Sequence, residues 1–215
     1  MCPVGPRAGL TSHWIDGENV LLDAIRAIQN EGTRGEVAQN FREQGNEAAK
    51  EKRWIDAKEF YSKAIAVLQA KTDQWEKPED SKEEQKLLRQ VEEASFINRA
   101  LCNLELSWFP LSGFWEFANV VPENYRSTTL DCASALRVNP RNIKALYRSS
   151  VALLALDKIP EAEDAVTRGL AVDSDNKSLQ QVAAKIAARK EVVERVAAKK
   201  RAEEEKARKT KQILN

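Results

Sequence analysis

The sequence predicts an all-α protein built from stacked helix pairs, and three observations carry that prediction. The first is composition. The 215 residues hold only 8 Gly and 7 Pro, while Ala, Glu, Lys, Leu and Arg dominate, the residues that lose least on entering a helix. The second is amphipathic patterning: "NIKALYRSSVALLALDKIPEAEDAVTRGLAVDS" (residues 142–174) reads as two helices joined near Asp157. The third is the placement of small residues, which let helices approach closely. Ala162 and Gly169 stand seven apart, and Gly45, Ala57, Tyr61 and Ala64 are separated by twelve, four and three.

This spacing resembles the tetratricopeptide repeat, a 34-residue helix-turn-helix unit. One copy lies in "NFREQGNEAAKEKRWIDAKEFYSKAIAVL" (residues 40–68) and another begins at Ile143. A copy between them opens with "SFINRALCNLEL", where Ala100 takes the small-residue place of the first helix and Leu106 ends it. "ENYRSTTLDCASALRVNP" supplies its second helix, with Ala135 as the small residue and Pro140 near the close. The repeat closes only if residues 107–122 are removed, and Ile143 then opens the next one in register. The expected fold is therefore three such repeats over residues 38–175, stacked as a right-handed solenoid. An N-terminal segment, 1–37, is expected to be partly disordered.

From residue 176 the chain reads as one long C-terminal helix. Leu179, Val182, Ala183 and Ile186 form a stripe that should cap the last repeat. Beyond Arg195 the stripe fades, and Glu191 with Arg195, Glu204 with Arg208, and Glu205 with Lys209 are placed as supporting pairs four apart. A solvated helix is expected there.

Residues 107–122 differ from both flanks: two Trp, three Phe, two Pro, one acid and no base. The stretch is too short to span a membrane and is broken by Pro110, Gly113, Glu116 and Pro122. It follows no helix periodicity and sits at a turn. Three readings compete: an aromatic loop that binds a partner, a lid that folds back on the domain's own apolar surface, and a segment foreign to the repeat, of the kind a retained intron would leave. We favour the third and expect an irregular excursion from the stack that the repeats tolerate.

Charge and cysteine usage exclude several classes. The 34 bases and 33 acids give a net charge of +1, so nothing global draws the chain to nucleic acid or an anionic membrane. The balance is uneven, since residues from Lys185 onward carry +6 and residues 1–184 carry −5. Cys2, Cys102 and Cys132 are odd in number and in no metal-like spacing, which fits a reduced cytoplasmic or nuclear compartment. The N-terminus has no secretory pattern. The one histidine, His13, lies in the N-terminal segment, and no nucleophile–base set or phosphate-cradling loop can be assembled. Carboxylates in "KPEDSKEEQK" (residues 77–86) are read as a solvated face. No enzyme, cofactor or metal is expected, and the chain is expected to be a monomer.

In stacked repeats the first helices line a concave groove. Their outward residues here are Arg42 and Asn46, then Asn98, then Lys144 and Arg148. The two pairs four apart each share one helix face. Three cations with two amides suit carboxylates, and a peptide ending in Asp offers two of them close together.

These five residues resemble the two-carboxylate clamp of the tetratricopeptide co-chaperones of heat shock protein 90, over roughly residues 38–175. The resemblance implies that Arg42, Asn46, Asn98, Lys144 and Arg148 hold the chaperone's C-terminal Met-Glu-Glu-Val-Asp. It implies the seventy-kilodalton heat shock protein, ending in Glu-Glu-Val-Asp, as a second partner. The approach to the first repeat, residues 18–54, the loop near 71–81 and the charged final helix are similar to the tetratricopeptide repeat protein 4 group, with its fungal co-chaperones. That group usually continues into a C-terminal domain and does not generally carry the 107–122 insertion, so the resemblance covers only the clamp-bearing part. Two alternatives stand beside it: a scaffold gripping an internal segment of another protein, and an adaptor whose basic tail meets ribosome or RNA.

Overall fold

The computed structural model describes residues 32–70, 75, 77–108 and 120–213. Among them lie seven helices and no strand: α1 Arg34–Lys50, α2 Trp54–Gln69, α3 Ser81–Trp108, α4 Val120–Val138, α5 Ile143–Ala155, α6 Ile159–Val172 and α7 Lys177–Ile213. Each helix packs on the next, and α1 also meets α3, α3 meets α5 and α5 meets α7. The odd-numbered helices therefore line one side of an all-α solenoid of tetratricopeptide repeats.

Local signals start the helices. Thr33 and Glu36 form a capping box at α1: the Thr33 hydroxyl accepts from Glu36 N at 3.3 Å, and Thr33 N donates to the Glu36 carboxylate at 2.8 Å. This satisfies two of the otherwise orphaned donors. Asn142 caps α5 by accepting from Ala145 N at 2.9 Å, and Pro160 stands in the first turn of α6, where its missing N–H costs nothing. Asp80 accepts from Lys82 N at 2.7 Å at the start of α3.

The turns α1–α2 and α5–α6 are built alike. Lys52 and Asp157 both adopt φ 60°, and each turn closes through paired backbone bonds, Lys52 N to Ala49 O with Arg53 N to Ala48 O, and Asp157 N to Leu154 O with Lys158 N to Leu153 O. A left-handed residue reverses the chain at once. The corresponding residue of the middle repeat is Ser107, seven after Ala100 as Lys52 is seven after Gly45. Ser107 stays helical, buried, with its hydroxyl donating to Asn103 O at 2.7 Å.

This corrects the reading of 107–122 as irregular throughout. Residues 107–108 continue α3 and 120–122 begin α4, because a helix runs on where no left-handed residue stops it. Residues 109–119, and the expected disorder of 1–31, lie outside the described residues.

The core runs along the stack at sites held by small residues. Ala38, Ala48, Ala57, Ala64, Ala100, Ala135, Ala145 and Ala162 are all fully buried. Larger residues fill the spaces between: Phe41 with Val67 and Val91, Ile65 with Phe96 and Ile97, and Val166 with Leu179, Val182 and Ile186. The last group joins α7 to the final repeat as its stripe predicts. Arg189 to Asp157 at 2.9 Å and Lys190 to Glu163 at 2.8 Å frame that contact at the surface.

Long-range polar bonds fix how the helices meet. Arg99 on α3 grips Asp131 on α4 through two bonds, 3.0 and 2.6 Å, while its third nitrogen donates to Ser62 on α2 at 3.2 Å. Burial raises the Asp131 pKa even against the pull of Arg99, so the pair specifies the α3–α4 packing more than it adds stability. Glu93 accepts from Asn139 at 2.8 Å and from Asn142 at 2.5 Å. Glu84, expected on a solvated face, instead accepts from Gly35 N at 2.8 Å and the Thr33 hydroxyl at 3.1 Å, and so covers the α1 N-terminus.

The distal part of α7 is exposed, including Val192, Val193 and Val196. Glu191–Arg195 at 2.6 Å and Glu205–Lys209 at 2.7 Å form as the sequence predicts. Glu204 does not take Arg208; it stands 3.9 Å from Lys200, since either neighbour lies one turn away on an exposed helix.

Leu179→Ala is expected to lower stability in urea unfolding by about 2–5 kcal/mol, the cost of a cavity at a fully buried site. A chain ending at Arg195 should unfold at the same urea midpoint as the full chain. Asp131→Ala should cost about 3–5 kcal/mol, because it leaves Arg99 largely buried without its carboxylate.

Candidate functional site

Three of the five residues named from the sequence stand together. Arg42 and Asn46 on α1 and Asn98 on α3 line one groove of about 670 Å³ with Tyr61, Leu101 and Cys102. Asn98 Nδ2 donates to Asn46 Oδ1 at 3.0 Å, and the Tyr61 hydroxyl donates to the same oxygen at 2.8 Å. Arg42 is half-buried and oriented by its Nε, which donates to Gln39 Oε1 at 3.1 Å.

Arg148 joins this cluster from α5. Its guanidinium donates to the Ile97 carbonyl at 2.5 Å, one residue before Asn98. Its field reaches Tyr61, Cys102 and Cys132. Burial lowers the Arg148 pKa from its usual value, though an arginine stays protonated at any physiological pH. Lys144 is exposed one turn earlier on α5, and neither it nor Arg148 lines the α1–α3 groove. Among the described residues neither Lys144 nor Arg148 has a carboxylate within ion-pair distance, and Arg42 has only Glu43, at 4.0 Å.

The result is a site where directed amide donors stand near Arg148, a cation with no carboxylate within ion-pair distance among the described residues. A half-buried cation held by a carbonyl and lacking a counter-ion attracts an anion strongly, because little water remains to compete. Glu43 and Glu47 stand on the groove's edge, and Glu47 is already held by Lys50 at 2.8 Å. Among the described residues no group of three or more His, Cys, Asp or Glu could hold a metal.

The sequence reading did not foresee the part played by Tyr61, Leu101 and Cys102 in the groove. Tyr61 counted only as the aromatic of the repeat. The signal was its hydroxyl: at a buried position a Tyr in place of Phe calls for a polar partner.

No protein-family profile matches the chain. It is 36% identical to the Hsp70/Hsp90 co-chaperone CNS1 of Saccharomyces cerevisiae over 197 residues, 91% of this chain and 41% of that one. It is 38% identical to the co-chaperone cns1 of Schizosaccharomyces pombe over 148 residues, 69% of this chain and 32% of that one. The solved structure of Hsp90 co-chaperone Cns1 from S. cerevisiae superimposes with a TM-score of 0.59 at 35% identity, covering 85% of this chain and 48% of the other. The chain belongs to the tetratricopeptide-repeat co-chaperone family of Cns1. It spans less than half the length of the Cns1 proteins it matches. A tetratricopeptide-containing domain of a Plasmodium falciparum FK506-binding protein, 17% identical with a TM-score of 0.61, shares the fold. Among the described residues no helix is long and apolar enough to cross a membrane.

Two thiols within reach of the Arg148 charge, Cys102 and Cys132, are free and fully buried, and burial pushes both pKa values up to about 12. In a Cys2→Ser variant, Ellman's reagent at pH 8 is expected to find no reactive thiol in the folded protein and two in denaturant, since the thiolate is the nucleophile.

Proposed function

We propose that this chain is a co-chaperone adaptor that holds the acidic C-terminal tail of heat shock protein 90, and of the seventy-kilodalton heat shock protein, in a carboxylate clamp. The observation that carries the reading is Arg148: a half-buried cation tied to the Ile97 carbonyl and without a carboxylate of its own. Its field reaches Tyr61, whose hydroxyl donates to Asn46 of the Asn46–Asn98 amide pair, and Lys144 lies one turn before it on α5. The names of the two yeast relatives supply the partner class.

In this reading residues 38–175 form the binding domain and the helix after 176 caps it. Arg148 and Lys144 neutralise the ligand's carboxylates. Arg42 adds charge from the opposite wall, and the two amides meet the main chain and terminal oxygens. The adaptor works by binding, without catalysis, cofactor or metal, in the cytoplasm.

Calorimetry with the free-acid pentapeptide Met-Glu-Glu-Val-Asp tests the proposal. Binding near micromolar, about −8 kcal/mol, is expected, weakening as salt is raised. Amidating the peptide C-terminus should abolish it; equal affinity for acid and amide would mean that an internal segment is gripped instead. Arg148→Ala should weaken binding by about 1.5–3 kcal/mol, and the exposed Lys144→Ala by less.

A further inference from the structure

We infer that Tyr61 is a positioning residue of this site, fixing the Asn46 amide so that its NH2 group faces the groove; this rests on the clamp reading above. Asn side chains can present either end of the amide, and at an exposed helix face the two orientations differ little. Asn46 has no such freedom. Its Oδ1 accepts from the Tyr61 hydroxyl at 2.8 Å and from Asn98 Nδ2 at 3.0 Å. Two donors converge on one end of the amide, so Nδ2 is turned away from them and carries two free N–H groups.

The hydroxyl is a dependable donor for two reasons. Tyr61 is 2% exposed, and burial pushes its pKa up to about 12, which keeps the proton in place throughout the physiological range. The ring that carries it is held by Gly45, the neighbour of Asn46. A Cβ at Gly45 would stand 2.6 Å from Tyr61 Cε1 and 2.8 Å from Cδ1, so only glycine lets the ring lie against the α1 backbone with its hydroxyl one residue along. Asn98 Nδ2 is committed to the same Asn46 oxygen at 3.0 Å. Asn98 thus directs its NH2 into the cluster and leaves Oδ1 as an acceptor. One amide then offers donors to the ligand and the other an acceptor, so a bound segment meets both a donor for its terminal carboxylate and an acceptor for a main-chain N–H.

A helical repeat needs an aromatic ring at this place for packing, and Phe would supply it. The hydroxyl adds orientation of Asn46, which separates the proposal from a structural role. In Tyr61→Phe the ring and its contact with Gly45 remain, while Asn46 loses one of the two donors that hold it.

The test is calorimetry with the free-acid and amidated Met-Glu-Glu-Val-Asp peptides on the full chain and on Tyr61→Phe, Asn46→Ala and the double variant, with melting followed in parallel. Tyr61→Phe is expected to weaken the free-acid peptide about fivefold to tenfold, the effect of one net hydrogen bond. The double variant should bind no more weakly than Asn46→Ala alone, because the hydroxyl acts only through that amide. Affinity within twofold of the full chain, or losses that multiply in the double variant, would overturn the assignment of Tyr61 while leaving the clamp standing. Failure of the unsubstituted chain to distinguish acid from amide would instead overturn the clamp reading and this one with it. If Tyr61→Phe melts well below the full chain, the double variant decides: multiplied losses mean a structural role only.

Discussion

The close approach of helices at glycine and alanine is the constraint on which the rest of this structure depends. Gly45 accepts the Tyr61 ring against the α1 backbone at distances where any Cβ would collide, Gly169 accepts Leu179 in the same way, and fully buried alanines recur along the stack between them. Helices packed this tightly have little freedom to slide or rotate, since neighbouring side chains already fill their interiors. Successive odd-numbered helices are thereby held at a fixed spacing. Residues on their outer faces that are far apart in sequence, such as Asn46 and Asn98, are brought within hydrogen-bonding distance.

The same packing creates the electrostatics of the groove. Arg148 lies on α5 yet bonds the backbone of α3 through Ile97, which partly desolvates it and orients it without neutralising it. Acids are plentiful in this chain, but those nearby are engaged elsewhere: Asp131 with Arg99, Glu93 with two asparagines, and Glu47 with Lys50. Arg148 and Lys144 are thereby left without a carboxylate within ion-pair distance among the described residues, while Arg42 has Glu43 at 4.0 Å. The one thiol that lines the groove, Cys102, is buried, and burial pushes its pKa up to about 12.

The middle repeat shows how one residue's conformation redirects the chain. Lys52 and Asp157 bear the strain of a left-handed backbone and turn the chain sharply. Ser107 occupies the matching place, remains α-helical, and binds its hydroxyl to Asn103 O. Helix α3 consequently ends at Trp108, eight residues after Ala100, where α1 ends at Lys50, five after Gly45, and so carries the chain past the point where its neighbours turn back. The groove survives this departure because its contributors from α3, Asn98 to Cys102, lie one turn or more before the divergence.

The sequence by itself determined the all-α class, the period of the repeats and the interruption of the middle one. All of these are written in spacings of a few residues, which helix geometry converts directly into faces. It likewise marked Leu179, Val182 and Ile186 as the face that holds α7 to the last repeat. Only the tertiary structure decided that Glu84 leaves its charged run to cover the α1 N-terminus, that Arg99 spans three helices, and that the Tyr61 hydroxyl and Asn98 converge on one oxygen of Asn46. It also decided that Glu204 stands near Lys200 and not Arg208. Local pattern fixes which face of a helix a residue occupies. The partner it meets across a junction depends on the rotation and offset of two helices, which the buried glycine and alanine contacts set together across the whole stack.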